Sequence, residues 1–387
     1  MKLLHVFSVF GTAEGFFDGQ FKYLSDRGYD IIVASSDSER AEEFCRRNNV
    51  SFVPINIPRS VSPSAILKAV KALRQVIKVE KVEAVFGHTP VGALCAMMAA
   101  WLSGVRYRVY YRHGLIYTTM TGFKRFIFKN EERFVAWLAT DIINVSHSLS
   151  RLAKKERLNS PQKQFVIGHG TCGGIDTQDV FNPVLIDKDK LSAIRTSLHL
   201  YDADIVYGFC GRLCNDKGIN ELVDGFELFL KRHPQMKSKL LLIGGFDTRD
   251  GISEEKKQQI SNNENIVLSG KVEKSDIPYY YSLLDVFVFP SHREGFGMCV
   301  IEASAMAKPV LCSHAHGCED AIVEHVTGEY IPLTPEGICK GMESMLDSDL
   351  RHLLGYEGRK SVVANYDKRV MWPQVADLYA KILGDTR

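Results

Sequence analysis

The 387-residue chain has no apolar run long enough to cross a bilayer. Its longest apolar stretch, Val91 to Leu102, has 12 residues, whereas a membrane-spanning helix needs about 20. An apolar run follows Lys2 at the start of the chain, but His5 and Ser8 interrupt it, which favours a buried first strand over a signal peptide. The sequence therefore predicts that any membrane contact is peripheral.

Low-complexity tracts, internal repeats and heptad patterning are also absent. Hydrophobic residues make up 45% of the chain and charged residues 24%, proportions that are ordinary for a globular protein and argue against disorder and coiled coil. A single hydrophobic core stops growing at about 250–300 residues. The length therefore predicts two domains.

Disulfide-type cysteine spacing is missing too. Nine cysteines are an odd number without a compact pattern, which is typical of reduced, buried thiols and favours the cytoplasm. The pairs Cys210/Cys214 and Cys312/Cys318 have no matching second pair at zinc-like spacing. We therefore expect no bound metal and no other cofactor.

The net charge is only +2, but basic residues are concentrated in one part of the chain. Residues 51–150 hold 13 Lys and Arg against 5 Asp and Glu. Segments 65–78 and 122–129 mix apolar and cationic positions, a pattern shared by helices at a membrane surface and by ordinary amphipathic helices with extended Lys side chains. We expect this region to attract anionic membranes or phosphorylated ligands, and we expect no nucleic-acid partner.

Strand-like apolar runs alternate with helix-like segments, which predicts βαβ units and two doubly wound parallel sheets. Turn residues cluster at 176–183 between two series of strands, and we place the domain boundary there. The predicted strands are Leu3–Phe10, Asp30–Ala34, Phe52–Ile57, Ala84–Phe86, Tyr107–Tyr111, Asp141–Val145, Phe165–Ile167, Ile205–Phe209, Lys239–Ile243, Asn265–Leu268, Val286–Phe289 and Pro309–Cys312.

Open α/β sheets bind ligands beyond the carboxyl ends of their strands, so residues that directly follow these runs are candidates for function. Gly, His, Arg and Glu residues occupy such positions in both halves. They are Gly11 and Gly15 after the first strand, His88 after the fourth, His113 after the fifth, Gly211 and Arg212 after the eighth, Gly244 after the ninth and Glu294 after the eleventh.

Glu294 and Glu302 flank a glycine turn that leads from a strand into a helix predicted at 300–307. A helix N-terminus offers unpaired backbone N–H groups, and Gly295 and Gly297 have no side chain to hold a phosphate away. The two carboxylates can accept hydrogen bonds from sugar and ribose hydroxyls. A capped helix with two solvated surface acids is the alternative interpretation.

Arg212 and Lys217 follow the first strand of the second half, in Gly211-Arg-Leu-Cys-Asn-Asp-Lys-Gly218. Fixed cations there can stabilise a departing diphosphate more in the transition state than in the ground state. A solvated surface pair is the alternative.

Three passages resemble the retaining glycosyltransferases of the GT-B fold, specifically family four of the bacterial polysaccharide-assembly type. They are 211–218, 279–297 with Glu302, and the weaker 167–176. The resemblance covers most of the chain. It implies two Rossmann-like domains that face a central cleft, an acceptor domain of residues 1–178 with a final helix at 365–387 and a donor domain of residues 179–364.

The resemblance also implies roles for single residues. Arg212 and Lys217 grip the donor diphosphate, His113 faces the donor sugar, and the departing phosphate accepts the acceptor's proton without a metal. Gly11 and Gly15 stand in place of the family's first glycine loop, although they depart from its commoner adjacent-glycine form. The full set of candidates comprises His113, Glu294, Arg212 and Lys217 for catalysis, and Gly11, Gly15, Gly211, Gly244, Val272, Gly295, Phe296, Gly297 and Glu302 for donor binding.

The expected reaction is retaining transfer of a hexose or N-acetylhexosamine from a nucleoside-diphosphate sugar, with UDP favoured, to a hydroxyl of a saccharide acceptor. We expect a polyprenyl-diphosphate-linked acceptor, synthesis of capsule, O-antigen or exopolysaccharide, and a cytoplasmic or peripheral inner-membrane location. A nucleotide-sugar epimerase or hydrolase on the same fold is the alternative. A dinucleotide oxidoreductase is disfavoured because no Gly-x-Gly-x-x-Gly follows the first strand.

Overall fold

The computed structural model of the protein describes residues 1–36, 39–58, 62–248 and 250–384. The chain divides into two compact units, with Met1–Gly174 and Arg369–Arg387 in unit 1 and Ile175–Lys368 in unit 2. The sequence places the corresponding boundaries after residues 178 and 364. Among the described residues, none of the helices combines the length and the apolar character that a bilayer span requires.

Unit 1 is built on a parallel seven-stranded sheet in the order β3-β2-β1-β4-β5-β6-β7. Strands β1, β2 and β4 are apolar and almost fully buried, as expected of parallel strands with both faces covered. The strands are β1 Lys2–Val6, β2 Asp30–Ser35, β3 Ser51–Pro54, β4 Ala84–His88, β5 Tyr107–Arg112, β6 Asp141–Asn144 and β7 Gln164–Val166.

Among the described residues of unit 1, seven α-helices connect these strands. They are α1 Phe10–Phe16, α2 Gln20–Ser25, α3 Ala41–Asn48, α4 Pro63–Val79, α5 Pro90–Leu102, α6 Gly122–Leu138 and α7 His147–Lys155. Helix α4 buries Ile66, Val70, Leu73 and Ile77, whose spacing places them on one helical face against the core. Helix α5 is apolar nearly all round and buried along most of its length.

Unit 2 contains a parallel six-stranded sheet in the order β10-β9-β8-β11-β12-β13. Its strands are β8 Ile205–Cys210, β9 Ser238–Ile243, β10 Ile266–Gly270, β11 Val286–Phe289, β12 Val310–Ser313 and β13 Glu329–Ile331. The helices are α8 Lys188–Ser197, α9 Ile219–Arg232, α10 Glu254–Asn262, α11 Ile277–Leu283, α12 Met298–Ala305, α13 Pro335–Ser344 and α14 Ser348–Asn365.

The last helix, α15 Lys368–Leu383, joins unit 1 from Arg369 onward. Its Trp372 ring lies 5.5 Å from that of Tyr23 and fills the space where a Cβ on Gly19 would stand. Its Tyr379 ring stacks on Phe86 at 4.6 Å. Packed aromatic side chains therefore attach the end of the chain to the first sheet.

The predicted α/β class with two parallel sheets is confirmed, but three details of the strand prediction are wrong. The predicted strand Phe52–Ile57 ends at Pro54 in the structure. The first strand ends at Val6 because Phe10, buried against Phe44 and Phe52, begins helix α1. Strand β13 is not predicted, because three residues are too short for a periodic pattern.

Candidate functional site

The predicted glycine turn does lead into a helix in unit 2. Gly297 is the N-cap of α12, which begins at Met298. The Glu294 N–H donates to the His316 carbonyl at 3.0 Å, and the Gly297 N–H donates to the Gly317 carbonyl at 3.1 Å. The turn is therefore supported by the loop that follows β12, a contribution not predicted from the sequence.

Gly317 is required for this close approach. Its φ is +83°, and a Cβ there would lie 2.5 Å from the Glu294 carbonyl oxygen and 2.8 Å from that of Gly295. Both the left-handed backbone and the lack of space exclude a side chain. The only signal for this residue in the sequence is its position five residues after a predicted strand.

Lys217 and Glu294 form an ion pair, with 17% and 13% of their side chains exposed. Ser291 Oγ lies 3.0 Å from the same Glu294 oxygen. Burial by itself lowers the pKa of Lys217, but the charge of Glu294 and its hydrogen bond outweigh burial, and the pKa is raised. Lys217 therefore carries its charge near neutral pH.

The backbone around Lys217 is also closely packed. Gly218 has a φ of +69°, and a Cβ there would lie 1.9 Å from the Pro290 carbonyl oxygen at the end of β11. A side chain at this position would push the Lys217 segment away from the strand that leads to Glu294. Gly218 therefore helps to hold the two charged residues together.

Arg212 forms a separate ion pair in unit 2. Its guanidinium pairs with Asp247, whose side chain is 11% exposed, while that of Arg212 is 63% exposed. Burial lowers the pKa of Arg212, but the hydrogen bond to Asp247 and the nearby negative charges together outweigh burial, and the pKa is raised. Gly211 and Gly244 precede these two residues, and a Cβ on Gly244 would lie 1.9 Å from the Gly211 carbonyl oxygen. Asp247 is a residue that the motif analysis missed.

A second charged pair, not predicted from the sequence, joins the segment of Lys217 to the segment of Glu294. Asp216 pairs with Arg293, whereas its neighbour Lys217 pairs with Glu294. The His292 N–H donates to the Asp216 carbonyl at 2.9 Å. Asp216 and Arg293 flank Lys217 and Glu294 in the chain, so two adjacent ion pairs connect the segments.

Glu302 lies in α12, where its carboxylate accepts a hydrogen bond of 2.9 Å from the Tyr281 hydroxyl. Burial raises the pKa of Glu302 to about 7, although the hydrogen bond from Tyr281 opposes this. Phe296 is buried with its ring 5.5 Å from that of Tyr366. Val272 is half-buried in the segment between β10 and α11.

The remaining candidates lie in unit 1. His113 follows β5, and burial lowers its pKa to about 4. The sequence predicts a loop at Gly11 and Gly15. In the structure both residues lie inside α1, with open space where a Cβ would stand. The prediction is wrong because burial of Phe10 starts a helix at this point.

One group of described residues has side chains spaced like metal ligands. Ligand atoms of Glu324, His325 and Glu329 lie within 4.8 Å of one another, and His325 Nδ1 lies 2.8 Å from Glu329 Oε2. Glu324 and His325 are exposed. This group follows β12 in the chain and shares no residue with the Lys217–Glu294 pair.

The chain is similar to known glycosyltransferases in both units. Residues 192–361 match the family described as Glycosyl transferases group 1, and residues 6–146 match the family described as Glycosyl transferase 4-like. CapM of Staphylococcus aureus, a capsular polysaccharide biosynthesis glycosyltransferase, is 31% identical over 371 residues, 95% of this chain and 94% of CapM.

Two further similarities extend over nearly the whole chain. An Escherichia coli UDP-Gal:alpha-D-GlcNAc-diphosphoundecaprenol alpha-1,3-galactosyltransferase is 22% identical, covering 93% of this chain and 91% of its own. The crystal structure of Anabaena HepE in complex with UDP and glucose has a TM-score of 0.79 at 18% identity, covering 98% of this chain and 99% of HepE. The predicted resemblance is thus confirmed: the chain has the GT-B fold and belongs to the group 1 glycosyl transferases.

Proposed function

We propose that the protein is a retaining, metal-independent glycosyltransferase that moves a hexose or N-acetylhexosamine from a UDP-sugar to a hydroxyl of a lipid-linked saccharide. The product would enter a bacterial capsule, O-antigen or exopolysaccharide. The observation that carries this proposal is the largely buried ion pair of Lys217 and Glu294, because Glu294 lies three residues ahead of the helix N-cap Gly297. A cation, a carboxylate and a helix N-terminus together suit a sugar linked to a diphosphate.

We assign the diphosphate to Lys217, Arg212 and the N-terminus of α12. Before a donor binds, Glu294 neutralises Lys217. An arriving phosphate offers Lys217 a second anionic partner and leaves Glu294 oxygens free to accept from sugar hydroxyls. Fixed cations stabilise the charge that develops on the departing oxygen, so they act mainly on the transition state.

Glu302 has a different task in this scheme. Its carboxylate already accepts from the Tyr281 hydroxyl, which holds it in one orientation. The remaining oxygen lone pairs suit two adjacent ribose hydroxyls. Glu302 therefore contributes to donor binding, whereas Glu294 contributes to orientation of the sugar.

Retention follows when the departing phosphate accepts the proton of the attacking hydroxyl on the face that it has just left. The cations at the phosphate come from the chain itself, so transfer should proceed in the presence of a chelator. In unit 1 we assign His113 to the donor sugar. Its depressed pKa, about 4 because of burial, keeps the ring neutral at pH 7, which argues against a role as a proton donor.

The names of relatives support the donor and the acceptor. The E. coli relative uses UDP-Gal and a diphosphoundecaprenol-linked GlcNAc, and HepE binds UDP and glucose. A lipid-linked acceptor places the reaction at a membrane surface. We therefore propose peripheral association with the cytoplasmic face of the inner membrane.

Helix α6 supports this location. Five of its apolar side chains are exposed and lie within an arc of about 100° on a helix of 3.6 residues per turn. A half-exposed strip of aromatic rings on one helical face is typical of helices that lie in a bilayer interface, and Lys124 and Arg133 on the same helix suit anionic lipids. The five side chains are Phe123, Phe126, Ile127, Phe134 and Trp137.

The proposal is tested by incubation of the wild-type protein with UDP-glucose, UDP-galactose or a UDP-N-acetylhexosamine and GlcNAc-diphosphoundecaprenol, with EDTA present. The expected product is a disaccharide with the anomeric configuration of the donor, detected by mass spectrometry and NMR. A sugar altered or released without the lipid acceptor would instead indicate the epimerase or hydrolase. A donor at 100 times its dissociation constant should stabilise the protein by about 2.7 kcal/mol, which a thermal-shift panel detects.

A further inference from the structure

Three histidine rings form a continuous hydrogen-bonded chain inside unit 1. His5 Nδ1 lies 3.0 Å from His88 Nε2, and His88 Nδ1 lies 3.0 Å from His113 Nε2. The chain continues to Cys172, whose Sγ lies 3.2 Å from His113 Nδ1. His5 lies in β1, His88 lies in β4 and His113 directly follows β5, and these three strands are neighbours in the sheet.

Aromatic neighbours hold the rings in place. His5 stacks on Phe86 with ring centroids 4.5 Å apart, and His88 stacks on Phe7 at 4.2 Å. The His5 and His88 side chains are fully buried. The rings therefore have little freedom to turn away from one another.

The hydrogen bonds of this chain must all run in the same donor-to-acceptor direction. A neutral imidazole has one N–H and one bare nitrogen, and burial depresses the pKa of His5 to about 3 and that of His113 to about 4. Burial also lowers the pKa of His88 well below its usual value. With three neutral rings, each contact needs one donor and one acceptor, so the tautomer of one ring determines those of the other two.

We infer that His88 is a positioning residue that sets the ring orientation and the tautomer of His113, with His5 and Cys172 completing the chain at its two ends. Both nitrogens of His113 already have partners within unit 1. The His113 ring is therefore neutral and already oriented before a ligand binds. Its tautomer depends on His88 and, through His88, on His5. The consequence for turnover rests on the role of His113 in the proposed function, whereas the tautomer does not.

Two amide variants separate the contacts of His88. An Asn amide reaches the position of ring Nδ1, so His88→Asn can keep the bond to His113 and loses the bond to His5. A Gln amide reaches the position of Nε2, so His88→Gln can keep the bond to His5 and loses the bond to His113. Each variant removes one buried hydrogen bond, which makes them matched controls for stability.

The experiment records long-range 1H–15N spectra of the full chain labelled with 15N-histidine at pH 7.5, with the His113 signals identified by a His113→Asn variant. The wild type should show one neutral tautomer of His113. His88→Asn should keep that pattern, and His88→Gln should shift it or mix the two tautomers. Identical His113 patterns in the two variants would overturn the inference.

If the two His88 variants do not fold, the other end of the chain provides the same comparison. Cys172→Ser keeps a group that can hydrogen-bond His113 Nδ1, and Cys172→Ala removes it. Both variants keep His88, so the wild-type tautomer of His113 should persist in both. Loss of that tautomer in Cys172→Ala would show that Cys172 sets it instead of His88 and would overturn the inference.

Turnover provides the second measurement, with UDP release from the UDP-sugars of the donor panel. Misplacement of His113 should make kcat of His88→Gln lower than that of His88→Asn by about tenfold or more, with donor KM changed less than about twofold. Equal kcat values in two folded variants count against a positioning role. No UDP release by the wild type would refute the proposed function instead and leave the spectroscopic result to decide on the histidine chain.

Discussion

The ammonium group of Lys217 is bound by the carboxylate of Glu294, a residue 77 positions later in the chain. Lys217 follows β8 and Glu294 follows β11, strands that are neighbours in the sheet of unit 2. Parallel strands that lie side by side bring the residues after their carboxyl ends to the same edge. The pair is therefore a product of strand order, and it concentrates opposite charges where a donor is proposed to bind.

Replacement of Lys217 by Ala should lower kcat by about 10² or more, because a positioned cation contributes that much to stabilisation of a departing oxyanion. Sugar transfer from the active UDP-sugar is the measurement. Lys360→Ala is the matched control, since the exposed pair of Lys360 with Glu357 lies on the surface of α14. Wild-type transfer by Lys217→Ala would refute the assigned role.

The two glutamates of the turn and helix should give different kinetic defects. Glu294→Gln should mainly lower kcat, because it disturbs Lys217 and the orientation of the sugar, while Glu302→Gln should mainly raise donor KM. Steady-state kinetics over a range of donor concentration distinguishes the two. The same kinetic defect in both variants would show that the two carboxylates do not have separate roles in catalysis and donor binding.

Donor affinity should depend on pH through Glu302, whose pKa is raised to about 7 by burial. The carboxylate form accepts from ribose hydroxyls more strongly than the protonated form, so donor KM should fall as pH rises from about 6 to about 8. In Glu302→Gln this fall should disappear. A KM that changes with pH to the same extent in both proteins would argue that another group titrates.

The stability of the folded protein should also depend on pH through Glu302. The folded-state pKa of Glu302 lies above the ordinary value of 4.5, so the folded protein binds more protons and its free energy of unfolding falls as pH rises from about 4.5 to about 7. Glu302→Gln should remove that contribution. The melting temperature of the variant relative to wild type should thus be higher at pH 8 than at pH 5, and an equal difference at both pH values would contradict it.

Gly317→Ala should damage the turn more than an ordinary glycine replacement does. A left-handed backbone alone costs about 1 kcal/mol or more for a residue with a side chain, and the contact with the Glu294 carbonyl adds to it. Gly104→Ala is the control, since φ is +67° there and no atom lies within 4 Å of the added Cβ. Chemical denaturation and donor KM should both show the larger effect at Gly317, and equal effects would exclude a supporting role for this loop.

The exposed aromatic strip of α6 should be needed for membrane binding. The double replacement of Phe123 and Trp137 by Ser should reduce flotation with liposomes that contain phosphatidylglycerol, because burial of these side chains supplies apolar free energy. Tyr356→Ser, at an exposed aromatic of unit 2, is the control. Flotation that is the same for all three proteins, or independent of the anionic lipid, would refute the proposed surface.

The order of elements along the chain could be predicted from the sequence because strands such as β8 and β11 are local apolar runs between turn residues. The candidates Lys217, Arg212 and Glu294 could be predicted for the same reason, since they follow such runs. Asp247 and Gly317 could not, because their importance lies in the atoms that they approach across the unit. Gly11 and Gly15 were misassigned because burial of Phe10, a tertiary contact, decides that their segment is helical.

By itself the sequence determined the fold class, the two series of parallel strands and the residues at their carboxyl ends, since these depend on periodicity within short segments. The tertiary structure alone decided which of those residues meet. Lys217 pairs with Glu294, and His88 joins His5 to His113, because sheet order and register bring distant strand ends within hydrogen-bonding distance. Burial, which also depends on the assembled fold, then moves the pKa of Glu302 towards neutrality and keeps the histidine chain uncharged.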